Sequence, residues 1–364
     1  MNIAFRADAS IQIGTGHVMR CFTLAEELKR QGHECLFICR EHKGHLGDLI
    51  AAKGFSLHLL PAGDKAEHAS AELNWNDHAP WLGVTWQQDA EQTRAVLSNQ
   101  PVDWLVADHY ALDIGWEQQA AEVAARIMVI DDLADREHQC NLLLDQTFGR
   151  SAADYRPLVP DNCELLCGSQ YALLRPEFAE LRPYSQQRRR QPALRQLLIT
   201  MGGVDKDNVT GQVLEALRDS ELPADCRIMV VMGATAPWLE RVIQQAETLP
   251  WSTEVKVGVS NMAQLMADSD LAIGAAGATS WERCCLGLPT VMVVLADNQQ
   301  TIANNLEKAN AARVLSNNDH LSSCISNMLA ALVAQPLQLK KMSQAAADIL
   351  DGYGADTVIK RLES

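Results

Sequence analysis

Short apolar runs alternate with amphipathic stretches along the whole chain. In the first half the runs are Ile3–Phe5, Cys35–Cys39, Phe55–Leu60, Trp104–Ala107 and Ile127–Ile130. In the second half they are Leu197–Thr200, Ile228–Met232, Glu254–Val257, Leu271–Ile273 and Thr290–Leu295. Runs that are continuous rather than alternating read as strands buried on both faces of a parallel sheet. Between them, apolar positions recur at helical spacing. Val18, Cys21, Phe22, Ala25 and Leu28 form one such face, stopped at Gln31–Gly32. The expected architecture is α/β: two doubly wound Rossmann-like domains facing across a cleft. The pattern pauses over 148–194, where Pro157, Pro160, Pro176, Pro183 and Pro192 flank the polar run Gln186–Gln191. We therefore expect an N-terminal domain over 1–150, a connecting segment over 151–192 and a C-terminal domain over 193–364. The cluster Arg188–Arg189–Arg190 inside that segment is expected to face water.

Composition changes the picture in two places. Of 364 residues, 47% are hydrophobic and 21% charged, which supplies two packed cores and argues against disorder. The net charge of −15 argues against a sequence-independent nucleic-acid binder, which needs clustered Lys and Arg to neutralise phosphates. A small anionic substrate in a local cleft stays open. No apolar run reaches the roughly 18–20 residues that span a bilayer, so no membrane insertion is expected. Arg6 and Asp8 interrupt the stretch where the apolar core of a signal peptide would lie, so the expected location is the cytoplasm. The ten cysteines include no CxxC pair and read as reduced core thiols, with Cys35, Phe37 and Cys39 on one strand face. Oligomeric state is not legible.

The candidate chemistry starts after the first strand. Ile13-Gly14-Thr15-Gly16-His17 is a glycine-rich turn that feeds a helix, an arrangement suited to anions. It is not a P-loop, because no Gly-Lys-Ser/Thr follows, and Met19 stands where a dinucleotide fingerprint needs its third glycine. His17 opens the helix. There it serves either as a neutral base toward water or as a locally bonded histidine. Leu271–Ser280 repeats the strand, glycine turn and helix order. Thr279-Ser-Trp-Glu282 also fits a capping box, which leaves Glu282 between a cap and a ligand role. Asp268-Ser-Asp270 looks like a metal-binding DxD, but it precedes a strand and is read as turn chemistry. His42 and His45 show no third ligand, so no metal site is expected.

Arg6-Ala-Asp8, Ile13–Arg20, Asp108-His109-Tyr110, Asp131-Asp132, Met201-Gly202-Gly203 with Asp205, Gly277–Arg283 and Asn298-Gln299 form an ordered set. It resembles the UDP-2,4-diacetamido-2,4,6-trideoxy-β-L-altropyranose hydrolases of pseudaminic acid biosynthesis. The resemblance implies a glycosyltransferase-B-like fold and metal-independent, inverting hydrolysis of a UDP-sugar, with no cofactor. It implies His17 as general base, with Arg6, Asp8, Gly14, Gly16, His109 and Tyr110 at the substrate. On the UDP side it implies Met262, Gly277, Ala278, Thr279, Ser280, Glu282, Asn298 and Gln299. Glu282 would grip the ribose, and Met262 would offer its main chain to the uracil. Two other readings compete: a UDP-sugar glycosyltransferase of the same architecture, and a non-catalytic nucleotide-sugar sensor.

Overall fold

The computed structural model describes residues 1–63, 77–316 and 320–364. They divide into two compact units: Met1–Leu173 with Gly354–Ser364, and Leu174–Tyr353.

The first unit is built on a parallel sheet. Its strands are β1 (Asn2–Ala7), β2 (Glu34–Arg40), β3 (Ser56–Leu60), β4 (Val102–Asp108), β5 (Ala124–Ile130), β6 (Leu142–Asp145) and β7 (Glu164–Cys167). Their order is β3-β2-β1-β4-β5-β6-β7. Successive side chains of a strand point to opposite faces, and both faces are buried. Ile3 and Phe5 join Phe37, Cys39 and Val106 in one core, whereas Ala4, Leu36 and Ile38 join Leu105 in the other. Phe5 and Phe37 stack with ring centroids 5.0 Å apart.

The second unit repeats the plan. Its strands are β8 (Gln196–Thr200), β9 (Arg227–Met232), β10 (Ser252–Val257), β11 (Leu271–Ala275), β12 (Thr290–Val294) and β13 (Ala312–Ser316). Their order is β10-β9-β8-β11-β12-β13, again parallel. In both sheets the strand order reverses at the centre, between β1 and β4 and between β8 and β11. Ligands of open α/β sheets bind beyond the carboxyl ends of the strands at such a reversal. The loops after β1, β4, β8 and β11 are therefore where chemistry is to be sought.

The structure corrects the sequence reading in several places. Segment 151–192 is no linker: β7 lies in the first sheet, and Pro176–Arg188 is a helix of the second unit. Arg189 does not face water. Its guanidinium is buried and donates to the carbonyls of Met266 (2.8 Å), Ser269 (2.6 Å) and Leu286 (3.0 Å). Arg188 pairs with Asp270 at 2.5 Å. The strands β6, β7 and β13 were missed because such short runs read equally as helix or strand. The boundary at 193–364 also changes. The helix Gly354–Leu362 returns to the first unit, burying Val358, Ile359 and Leu362 in its core. Trp104 Nε1 donates to the Leu362 carbonyl at 2.9 Å. No described helix is long and apolar enough to cross a membrane. All ten cysteines are free, and only Cys324 is exposed.

Candidate active site

The turn after β1 closes on itself. Ser10 and Gly14 exchange backbone hydrogen bonds of 3.2 and 2.8 Å, and Ser10 Oγ accepts from the amides of Gln12 and Ile13. Gly14 holds φ +83°, a conformation that favours glycine. The positions where Gly14 and Gly16 would carry a Cβ are open space, so a ligand can approach the backbone closely. The helix α1 (Gly16–Arg30) starts here, with Thr15 at its N-cap.

His17 lies in the first turn of α1, with 6% of its surface exposed. Its Nδ1 lies 2.6 Å from Asp108 Oδ1, at the carboxyl end of the neighbouring strand β4. The same carboxylate accepts from Arg20 Nε at 2.6 Å and from Arg20 Nη2 at 2.7 Å. Burial works against charge on Asp108, but Arg20 and His17 outweigh it and hold the carboxyl well below its usual range. A carboxylate can only accept, so the His17 proton sits on Nδ1. Nε2 makes no hydrogen bond among the described residues and is not among the sealed atoms. Carboxylate, oriented imidazole and a free ring nitrogen form the arrangement that a general base requires.

Tyr110 borders this pair, its ring edge-on to His17 with centroids 4.5 Å apart. Its hydroxyl donates to Asp132 Oδ1 at 2.6 Å, and Asp132 Oδ2 accepts from Arg20 at 2.9 Å. Tyr110 also lines a pocket of about 230 Å³ with Asp77, His78, Asp135 and Arg136. Sequence reading missed Arg20, His78 and the pairing of Asp108 with His17. The Arg20 side chain one helical turn from His17 was the available signal.

Three residues expected at the substrate are sealed inside the unit. Arg6 and Asp8 are fully buried. Arg6 forks onto Asp8 (2.6 and 2.8 Å) and onto Asp89 (3.0 and 2.6 Å). Asp8 also accepts from the Arg40 amide at 2.6 Å. They hold strand ends together and present nothing outward. His109 is 2% exposed, and its Nδ1 accepts from the Ala111 amide at 3.0 Å. Its proton is therefore on Nε2, which lies 3.7 Å from Asp8 Oδ2.

Burial pushes His109 down to about 3, against the pull of Asp8. The unfolded chain takes up a proton near pH 6.5, whereas the folded one resists until about pH 3. Stability should thus fall as pH drops through that window, by about 1.4 kcal/mol per pH unit. His109→Asn keeps an acceptor for Ala111 without the titration. Its unfolding free energy should fall less steeply between pH 6 and 4.5 in urea titrations; an unchanged slope would refute the assignment.

In the second unit, Gly277, Ala278 and Thr279 lie at the open side of the turn after β11. Nothing stands within 4 Å of a Cβ at Gly277. Ser280 does not share this exposure: it is fully buried and its Oγ accepts from Arg283 at 3.1 Å. The capping box does not form. The helix Thr279–Cys285 has Ala278 at its N-cap and no side-chain cap. Glu282 is partly exposed and, among the described residues, makes no hydrogen bond or ion pair. Burial pushes its carboxyl up to about 7, against Arg175 and Arg283.

Met262 opens the helix Met262–Asp268 and is partly exposed. Asn298 is exposed, while Gln299 folds back so that its Oε1 accepts from the Leu295 amide at 3.0 Å. Asp270 accepts from the Arg195 and Gln196 amides, each at 2.8 Å, and Asp268 from Tyr184 at 2.7 Å. Asp205 and Asp131 serve backbone amides in the same manner. Among the described residues, no His, Cys, Asp or Glu cluster of three is placed to hold a metal.

Comparison with known proteins bears first on the second half. The model for the glycosyltransferase family 28 C-terminal domain matches residues 196–356. The chain is also 27% identical over 309 residues to the UDP-2,4-diacetamido-2,4,6-trideoxy-beta-L-altropyranose hydrolase of Campylobacter jejuni, covering 85% of this chain and 97% of that protein. The resemblance read from the motifs therefore extends well beyond that stretch. The spore coat polysaccharide biosynthesis protein SpsG of Bacillus subtilis is 23% identical over 97% of the chain and 95% of its own length. Among solved structures, MurG of Acinetobacter baumannii superposes with TM-score 0.68 at 16% identity, covering 100% of this chain and 99% of that one. That likeness fixes the fold as glycosyltransferase-B, as the family resemblance implied.

Proposed function

We propose that the protein hydrolyses UDP-2,4-diacetamido-2,4,6-trideoxy-β-L-altropyranose by breaking the C1–O bond. The observation that carries the reading is the 2.6 Å contact between His17 Nδ1 and Asp108, which leaves Nε2 as a base. The similarity to the Campylobacter hydrolase supports the substrate. In the reaction, Nε2 takes a proton from water as the water oxygen bonds to C1. As that bond forms, the C1–O bond breaks and its electron pair leaves with UDP. Attack opposite the leaving group inverts C1. Asp108 stabilises the imidazolium that forms, and Tyr110 meets the sugar beside it.

The second unit binds the nucleotide. The open turn at Gly277–Thr279 receives the diphosphate, Glu282 the ribose hydroxyls and the Met262 main chain the uracil. Asn298 meets the diphosphate or sugar. Gln299 shapes the same loop, because its side-chain oxygen is already engaged. The reaction needs no metal: Asp268 and Asp270 are committed to Tyr184 and to backbone amides. The likeness to family 28 favours one competitor, a sugar transferase.

One experiment separates the readings. The UDP-sugar is incubated with the protein in ¹⁸O-water and EDTA, and the products are followed by NMR and mass spectrometry. The expected result is label in the free sugar, UDP without label, and an inverted first-formed anomer. Label in UDP would place attack at phosphorus and reject the His17 mechanism. Turnover that appears only with an added acceptor would make the protein a transferase, and intact substrate would leave a sensor.

A further inference from the structure

Arg283 and Arg189 are both buried without an ion pair among the described residues, but both Nη atoms of Arg189 meet backbone carbonyls, whereas only one of Arg283 does. Arg6 and Arg40 each hold a carboxylate, Asp89, inside the first unit. Arg283 is 1% exposed and forms no ion pair among the described residues. Its Nη2 donates to the Ala275 carbonyl at 2.6 Å and to Ser280 Oγ at 3.1 Å. Its Nε and Nη1 are buried without a protein acceptor. The guanidinium fills the inside of the strand–turn–helix loop at Gly274–Ser280. It lies so close beneath the strand end that a Cβ on Gly274 would collide with Nη1. Two residues beyond Ala275, whose carbonyl Arg283 holds, the turn is open at Gly277.

Glu282, the neighbouring residue, acts on Arg283 electrostatically without making contact; a buried cation that no carboxylate contacts is costly, and native structures rarely keep one without a use. Alanine or any larger residue at Gly274 would displace this one. We propose that Arg283 is the built-in counter-charge of an anion site on the outer face of this turn, completed by the diphosphate of a nucleotide. It is a positioning residue. It pins Ala275 and Ser280 and projects its charge through the loop, where low dielectric preserves the attraction. The proposal rests on the nucleotide-binding reading of this domain and adds to it the group that charges the site.

The test measures binding of UDP, uridine and inorganic pyrophosphate by calorimetry to the full chain and to Arg283→Met. Methionine is similar in bulk and apolar, so the variant's unliganded melting temperature should not fall. UDP and pyrophosphate should each bind at least ten-fold more weakly to it, with uridine unchanged. Unchanged affinity for UDP and pyrophosphate would overturn the proposal, as would a parallel loss of uridine. Should Arg283→Met not fold, Arg283→Lys keeps the charge and loses the fork. Its pyrophosphate affinity should then fall less than three-fold, and a larger loss would reject the electrostatic role. The two readings fail separately. Arg283-dependent binding of pyrophosphate with no gain from uridine would sink the UDP assignment and leave the counter-charge. UDP binding that ignores Arg283 would do the reverse.

Discussion

Replacing His17 with asparagine will lower turnover of the UDP-sugar by roughly 10²–10⁴, the range that a positioned general base supplies. UDP affinity should change little, because the nucleotide is assigned to a different unit. The split between turnover and binding is the informative readout. Loss of both together would mean that His17 shapes the fold. Asp108→Asn should also reduce turnover strongly. A carboxamide can donate to Nδ1, and the imidazole would then carry its proton on Nε2, where the base is needed. Stopped-assay rates with isothermal titration of UDP check both variants. Near-normal turnover in His17→Asn would remove the His17–Asp108 pair from the chemistry.

Asp89→Asn will unfold the first unit at a much lower temperature. Asp89 is fully buried on the helix Trp86–Leu97 and accepts from four donors on three elements. These are Arg6 Nε and Nη2, Arg40 Nη2 at 2.5 Å and Trp116 Nε1 at 3.0 Å. The variant keeps the shape and removes the charge. Arg6 then keeps Asp8 as its carboxylate partner, and the buried Arg40 guanidinium keeps none among the described residues. Breaking a buried pair in this way costs roughly 3–5 kcal/mol. For a unit of this size each kcal/mol moves the midpoint by about 2–4 °C, so a drop on the order of 10 °C is expected by calorimetry. A drop under about 2 °C would mean that the arginines find other partners. Burial works against the Asp89 charge, but Arg6 and Arg40 hold its carboxyl below the ordinary range. Its contribution is therefore present above the unfolded carboxylate pKa and is lost as pH falls through the folded one.

These residues show where sequence reading stops. The glycine turn before α1 and the position of His17 were legible, because glycine and a helix start are local. Asp108 was legible only as a member of the Asp108-His109-Tyr110 motif. Its actual partners are His17 and Arg20, about ninety positions away, brought near by the crossover that seats β4 beside β1. A strand's neighbours in a sheet are not written in the strand. Arg6 and Asp8 were placed at the substrate by the family resemblance, which does not show what each side chain meets in the fold. What silences them is Asp89, which arrives on a helix from beyond β3. The capping box at Thr279 had the right letters, but the turn enters the helix at Ala278, so its two side chains never face their amides.

The return of Gly354–Leu362 to the first unit sets an order of assembly on the ribosome. That helix packs against α1 and closes the core around Ile3, Phe5 and Trp104. At about 5–20 residues per second, the segment between Leu173 and Gly354 takes on the order of ten to thirty seconds to synthesise. The half of the protein made first is thus completed last. Throughout that interval the nascent chain carries an open apolar seam along α1, in the same helix as His17.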